Sequence, residues 1–243
     1  MVDYTDPKNR NNSGADVHGG IGASSIDQGL RKHMLKVYND MALGLGISGV
    51  IAYAVMAVPD LLEKIAPMYI ILALVELGLV FYLSARIMKM TETKAKTVFY
   101  IYAALNGLTL GVIFSMYTAE SVARVFFITA SLFGVMSIYG YTTKRSLQGM
   151  GTFLMMGLIG IAIAFLVNMF LQSSALHYAV SFIGIFIFVG LTAYDTQKIK
   201  SYYYQFGGDS EMLGKTAIMG ALALYLDFIN LMIMLLQFLG NRE

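Results

Sequence analysis

Residues 146–194 read SLQGMGTFLMMGLIGIAIAFLVNMFLQSSALHYAVSFIGIFIFVGLTAY, a stretch with no Asp, Glu, Lys or Arg. A helix crossing a bilayer needs about 20 consecutive apolar residues, so this stretch alone predicts two spanning helices. The rest of the chain has the same character. Hydrophobic residues make up 57% of the 243 and charged residues 13%, about half the charge of an ordinary soluble domain. Mean hydropathy is +0.65. The expected fold class is an all-α integral membrane protein.

Outward from that stretch, seven apolar spans are predicted at 39–58, 68–88, 98–117, 123–142, 151–171, 175–197 and 213–239. Pro59 and Pro67 bracket the first connection. Gly207-Gly208-Asp209-Ser210 marks the last turn, where Asp209 or Ser210 can cap the final helix. Residues 1–23 are rich in Asn, Gly and Asp and are expected to be a disordered tail. Over 24–38, Ser25-Ile26-Asp27-Gln28 resembles a capping box. Ile26, Leu30, Met34 and Val37 then recur at helical spacing beside Arg31, Lys32 and Lys36. This predicts a short interfacial amphipathic helix, with a simple extension of the first span as its rival. Residues 39–243 form the seven-helix domain.

Charge orients the bundle. The N-terminal region and the second-to-third, fourth-to-fifth and sixth-to-seventh connections hold fourteen Lys and Arg; the opposite side holds Lys64, Arg124 and Arg242. The positive-inside rule therefore places the N-terminus in the cytoplasm and the C-terminus outside. Opposite termini require an odd number of spans, in agreement with seven.

Composition also excludes several chemistries. With no cysteine there is no disulfide, thiolate metal site or cysteine nucleophile. Lys and Arg are sparse and lie in loops, which argues against nucleic acid as a partner. No removed signal peptide is predicted. His18, His33 and His177 lack the spacing of a helical zinc site, and no cofactor is expected. Gly44-x-Gly46-x-x-Gly49 matches a dinucleotide fingerprint but lies inside an apolar span with no preceding strand, so it is assigned to helix packing. Gly107 and Gly111, with Ala130, Gly134, Gly160 and Ala164, read as small-residue faces that let helices approach closely.

The informative residues are the polar ones inside spans. A carboxylate in hydrocarbon costs about 3 kcal/mol on insertion scales, so it is a functional candidate by default. Asp195 and Asp227 lie on consecutive spans. The midpoint of their numbers falls at the Gly-Gly-Asp-Ser turn, which puts them at similar depth on an antiparallel hairpin. Desolvation and mutual repulsion favour the protonated form of such a pair, and a neighbouring arginine opposes this. Arg86 ends the second span near the same membrane face; it either snorkels to headgroups or turns inward to the carboxylates. Glu76, Asn106 and Asn230 mark a possible ion path, against the rival of structural hydrogen bonds between helices; Asn168 is a further intramembrane amide.

Four segments carry a resemblance. Tyr38-Asn39-Asp40-Met41-Ala42-Leu43-Gly44-Leu45, Ser137-Ile138-Tyr139-Gly140-Tyr141-Thr142-Thr143-Lys144, Thr192-Ala193-Tyr194-Asp195-Thr196-Gln197 and Leu224-Tyr225-Leu226-Asp227-Phe228-Ile229-Asn230-Leu231 are together similar to the bacterial, YccA-like branch of the Bax inhibitor-1 family. The resemblance covers about residues 25–240. It implies a seven-helix bundle around a central last helix, in the bacterial cytoplasmic membrane. It implies a pH-sensitive calcium leak, with Asp195 and Asp227 as the proton-sensing pair, Arg86 as their latch and Ca²⁺ as permeant ion. Some bacterial members instead associate with the membrane-anchored ATP-dependent protease FtsH.

Intramembrane aspartyl proteases also place aspartates on their sixth and seventh spans, the first in a Tyr-Asp pair like Tyr194-Asp195. They need Gly-x-Gly-Asp at the second, where this chain reads Leu-Tyr-Leu-Asp. The enzyme reading is therefore the weakest, and no catalytic residue is assigned.

Overall fold

The computed structural model describes the backbone of residues 15–242 and the side chains of 28–242. Among the described residues eight α-helices follow one another: α1 Ala15–Ala57, α2 Pro59–Ile65, α3 Tyr69–Arg86, α4 Glu92–Phe114, α5 Ala119–Thr142, α6 Gln148–Leu171, α7 Ser174–Phe206 and α8 Ser210–Leu239. Short 3₁₀ turns at Ala66–Met68 and Ile87–Lys89 join α2 to α3 and extend α3, so α2 and α3 make one span, Pro59–Lys89. Among the described residues seven segments are long and apolar enough to cross a membrane, and each contains most of the corresponding predicted span.

The helix ends follow from local chemistry. Val58 is extended, as a residue before proline must be, and Pro59 opens α2 where a missing N–H costs nothing. The loop expected between Pro59 and Pro67 is therefore helical, because each proline occupies a first turn that tolerates it. Thr91, Thr118 and Ser173 accept from backbone N–H groups at the starts of α4, α5 and α7. Asp209 caps α8, its Oδ1 accepting from the N–H groups of Glu211 (2.9 Å) and Met212 (3.0 Å). The connection expected after residue 197 is instead mostly helix. α7 has 33 residues, about 50 Å, and outruns the roughly 30 Å hydrocarbon core.

At the N-terminal end α1 is continuous from Ala15 through Ala57. The separate interfacial helix at 24–38 is thus corrected: the stripe Leu30, Met34, Val37 and Met41 is buried against the bundle, which removes the reason to lie in the membrane plane. Of the tail expected at 1–23, residues 1–14 lie outside the described residues, and the backbone from Ala15 is helical.

α8 is the axis. It packs against α1, α4, α5 and α7, and most of its residues from Gly214 to Leu236 are buried. α3 and α6 stand at the periphery. They turn Ile70, Ile71, Leu74, Phe153, Ile159 and Phe170 outward, as lipid-facing helices do. α1 and α4 run parallel in fixed register. Lys36 pairs with Glu92 and Asp40 with Lys96, both at 2.6 Å and at the same sequence separation.

Glycines set the closest approaches. A Cβ on Gly107 would lie 2.8 Å from the Ser48 carbonyl oxygen, and Gly111 abuts Val55. Gly140 meets the backbone of Ala193, where α5 crosses α7. Gly134 and Gly160, expected on the same kind of face, have open space where a Cβ would be.

Candidate functional site

The α7–α8 hairpin brings Asp195 and Asp227 together. Asp227 is 4% exposed on the central helix; Asp195 is partly buried on the facing one. Their carboxyl groups are close enough to interact with each other. Two ionised carboxylates offer only acceptors, so a hydrogen bond between them needs a shared proton. Oδ2 of Asp227 is buried and has no hydrogen-bond donor among the described residues. The cation acting on Asp195 is Lys198, one turn along α7, whose ammonium lies 5.7 Å from the centre of the Tyr194 ring.

Arg86 does not join them. It is exposed at the end of α3 and forms no ion pair or hydrogen bond among the described residues. Leu83 and Ile87, each 1% exposed, occupy the inward face, and this rotation turns Arg86 away from the core. The latch expected from the resemblance is therefore not formed in this arrangement.

A second polar cluster lies across α3, α4, α8 and α1. Glu76 is buried and accepts from Asn106 Nδ2 at 2.9 Å and from the Thr109 hydroxyl. Asn106 Oδ1 in turn accepts from the Tyr225 hydroxyl at 2.8 Å, which lies 2.6 Å from Ser48 Oγ. Every polar end in this network has a partner, the condition under which a buried network stabilises. Asn230 is not part of it, because its Nδ2 donates to Leu226 O in its own helix at 2.8 Å. Asn168 caps the end of α6, accepting from Ser173 N–H at 2.9 Å.

Sequence reasoning missed Asp40. It is 3% exposed on α1, paired with Lys96 and accepting from the Tyr100 hydroxyl at 3.0 Å. The signal was present: Lys36 and Asp40 are spaced i, i+4, and so are Glu92 and Lys96, with signs that match across parallel helices. Among the described residues no cluster of three His, Asp or Glu side chains is placed to hold a metal ion.

Among the described residues, seven helices long and apolar enough to cross a membrane, the last of them buried among the others, define a polytopic α-helical membrane protein, and its final hairpin carries a pair of carboxyl groups. The chain belongs to the Bax inhibitor-1 family: the family described as Inhibitor of apoptosis-promoting Bax1 matches residues 30–243. It is 49% identical over 219 residues to Inner membrane protein YbhL of Escherichia coli, covering 88% of this chain and 94% of that protein. It is 48% identical to an uncharacterised protein of Rickettsia prowazekii, covering 90% of this chain and 93% of that one. A Caulobacter vibrioides protein, also uncharacterised, is 45% identical over 90% of this chain and 92% of its own.

Proposed function

We propose that this protein is a pH-sensitive cation leak with Ca²⁺ as the permeant ion, gated by the protonation state of Asp195 and Asp227. As in the Escherichia coli relative, named for the inner membrane, it sits in the bacterial inner membrane, with its N-terminus cytoplasmic and its C-terminus outside. The observation that carries the reading is the proximity of two carboxyl groups, one on α7 and one on the central helix α8. With a proton shared, the two helices are held together. With both groups ionised, like charges face each other across the tightest hairpin of the bundle and the contact is lost. Lys198 lies nearest to answer that charge, and Arg86 reaches it only if α3 turns. A change at α8 is felt by α1, α4, α5 and α7 at once, which suits a gate.

Calcium flux into proteoliposomes over a range of pH tests this. The wild type is expected to show a rate that changes with pH, and Asp195→Asn and Asp227→Asn to flatten the profile. A rate that is insensitive to pH and unchanged in both variants overturns the reading. It would leave the rival family role, modulation of a membrane-anchored ATP-dependent protease, as the one to pursue.

A further inference from the structure

A cavity of about 490 Å³ lies between the end of α3 and the first turns of α4, separate from both carboxyl clusters. Its volume is in the ~300–1,000 Å³ range of small-ligand sites. Its walls include Arg86, Lys89 and Lys94, together with the hydroxyl-bearing Tyr82, Thr91 and Thr93, and no acidic side chain. None of the three cations forms an ion pair among the described residues. The nearest acid in sequence, Glu92, is bound to Lys36 at 2.6 Å and does not neutralise them.

Three like charges around one cavity repel each other, and an anion between them removes that cost. The donor set is also specific in kind. An arginine fork, two ammonium groups and hydroxyls make up the usual complement for phosphate oxygens. The start of α4 adds the positive end of its helix dipole on the same side. The neighbouring outer face of α3 exposes Phe81, Tyr82 and Met88, so the cavity borders the apolar, lipid-facing surface. Basic pockets at the ends of spanning helices take phospholipid headgroups.

We propose that this cavity binds a phosphate-bearing anion, supplied by an anionic phospholipid headgroup or by free phosphate. The proposal is independent of the leak, and its test does not read flux. The purified protein in detergent is titrated with phosphatidylglycerol and followed by native mass spectrometry, with inorganic phosphate as competitor. Each lysine or arginine near a membrane surface contributes roughly a factor of five to anion affinity. Lys94→Gln alone should therefore weaken binding about fivefold, and Arg86→Gln, Lys89→Gln and Lys94→Gln together about a hundredfold. Lys144→Gln with Arg145→Gln, cations outside the cavity, should leave binding unchanged. Lipid retained against inorganic phosphate assigns the site to a headgroup, and displacement by phosphate assigns it to the free ion; either supports the proposal. Phosphatidylglycerol binding within twofold of wild type in the triple variant, or an equal loss in the control pair, overturns it. If the triple variant does not fold, an undiminished affinity in Lys94→Gln overturns it.

Discussion

Asn106 donates to Glu76 at 2.9 Å with one end of its amide and accepts from Tyr225 at 2.8 Å with the other, so a single side chain ties α3 to the central helix. Asn106→Leu would remove both bonds, leaving Glu76 with the Thr109 hydroxyl alone and Tyr225 with Ser48. Stranding buried polar groups costs about 1–3 kcal/mol each. Denaturant unfolding in detergent should show Asn106→Leu destabilised by about that range. Tyr225→Phe takes the donor from Asn106 Oδ1 but leaves the Glu76–Asn106 bond intact, so its loss should lie at the lower end of that range, about 1 kcal/mol.

The ion pair of Asp40 with Lys96 is asymmetric. The acid is 3% exposed on its helix, while the lysine side chain is 39% exposed. Lys96→Met leaves a buried carboxylate whose remaining donor is Tyr100. Breaking a fully buried pair costs about 3–5 kcal/mol, and the solvent at Lys96 reduces this to about 1–3. Asp40→Asn in the Lys96→Met background should recover most of that loss. A double-mutant cycle on thermal unfolding measures the coupling, and additive single effects would mean that the pair contributes nothing.

Much of this architecture could be read from hydropathy, because length and apolarity fix what can span a bilayer. The meeting of Asp195 and Asp227 could also be read, since equal distances from a Gly-Gly turn place two residues level on antiparallel helices. Rotation about a helix axis is harder to read. The 1.5 Å rise located Arg86 in depth, but Leu83 and Ile87 decided which way it faced. Gly134 and Gly160 fail for the same reason: small residues mark a close approach only on the side where a neighbour stands, as at Gly107. Asp40 went unnoticed because the basic end of α1 reads as amphipathic whether its partner is a membrane surface or α4.

That contrast between glycines is measurable. Gly107→Ala pushes a methyl against the Ser48 carbonyl and the Ile51 side chain, and α1 must move to make room. It should destabilise the bundle by about 1–3 kcal/mol, the usual cost of overpacking. Gly134→Ala meets open space and replaces a poor helix former, so it should be neutral or stabilising by up to about 1 kcal/mol. Similar losses in both variants would show that α4 does not pack on α1 as described.

The carboxyl pair makes the sharpest prediction about pH. A hydrogen bond between Asp195 and Asp227 requires a shared proton. Removing that proton puts two negative charges against each other beside the most buried helix of the bundle. Stability in detergent should therefore fall as pH is raised through the titration of the pair, since the folded state then loses a proton it had held. Asp227→Asn supplies an amide N–H that can donate to Asp195 at any pH, so the contact no longer needs a proton. Thermal unfolding of this variant, followed across pH, should show a smaller change than the wild type. The charge of Lys198 gives an internal check, because Lys198→Gln removes the cation one turn from Asp195 and should steepen the wild-type dependence. An unchanged pH dependence in Asp227→Asn would mean that the titrating group lies elsewhere.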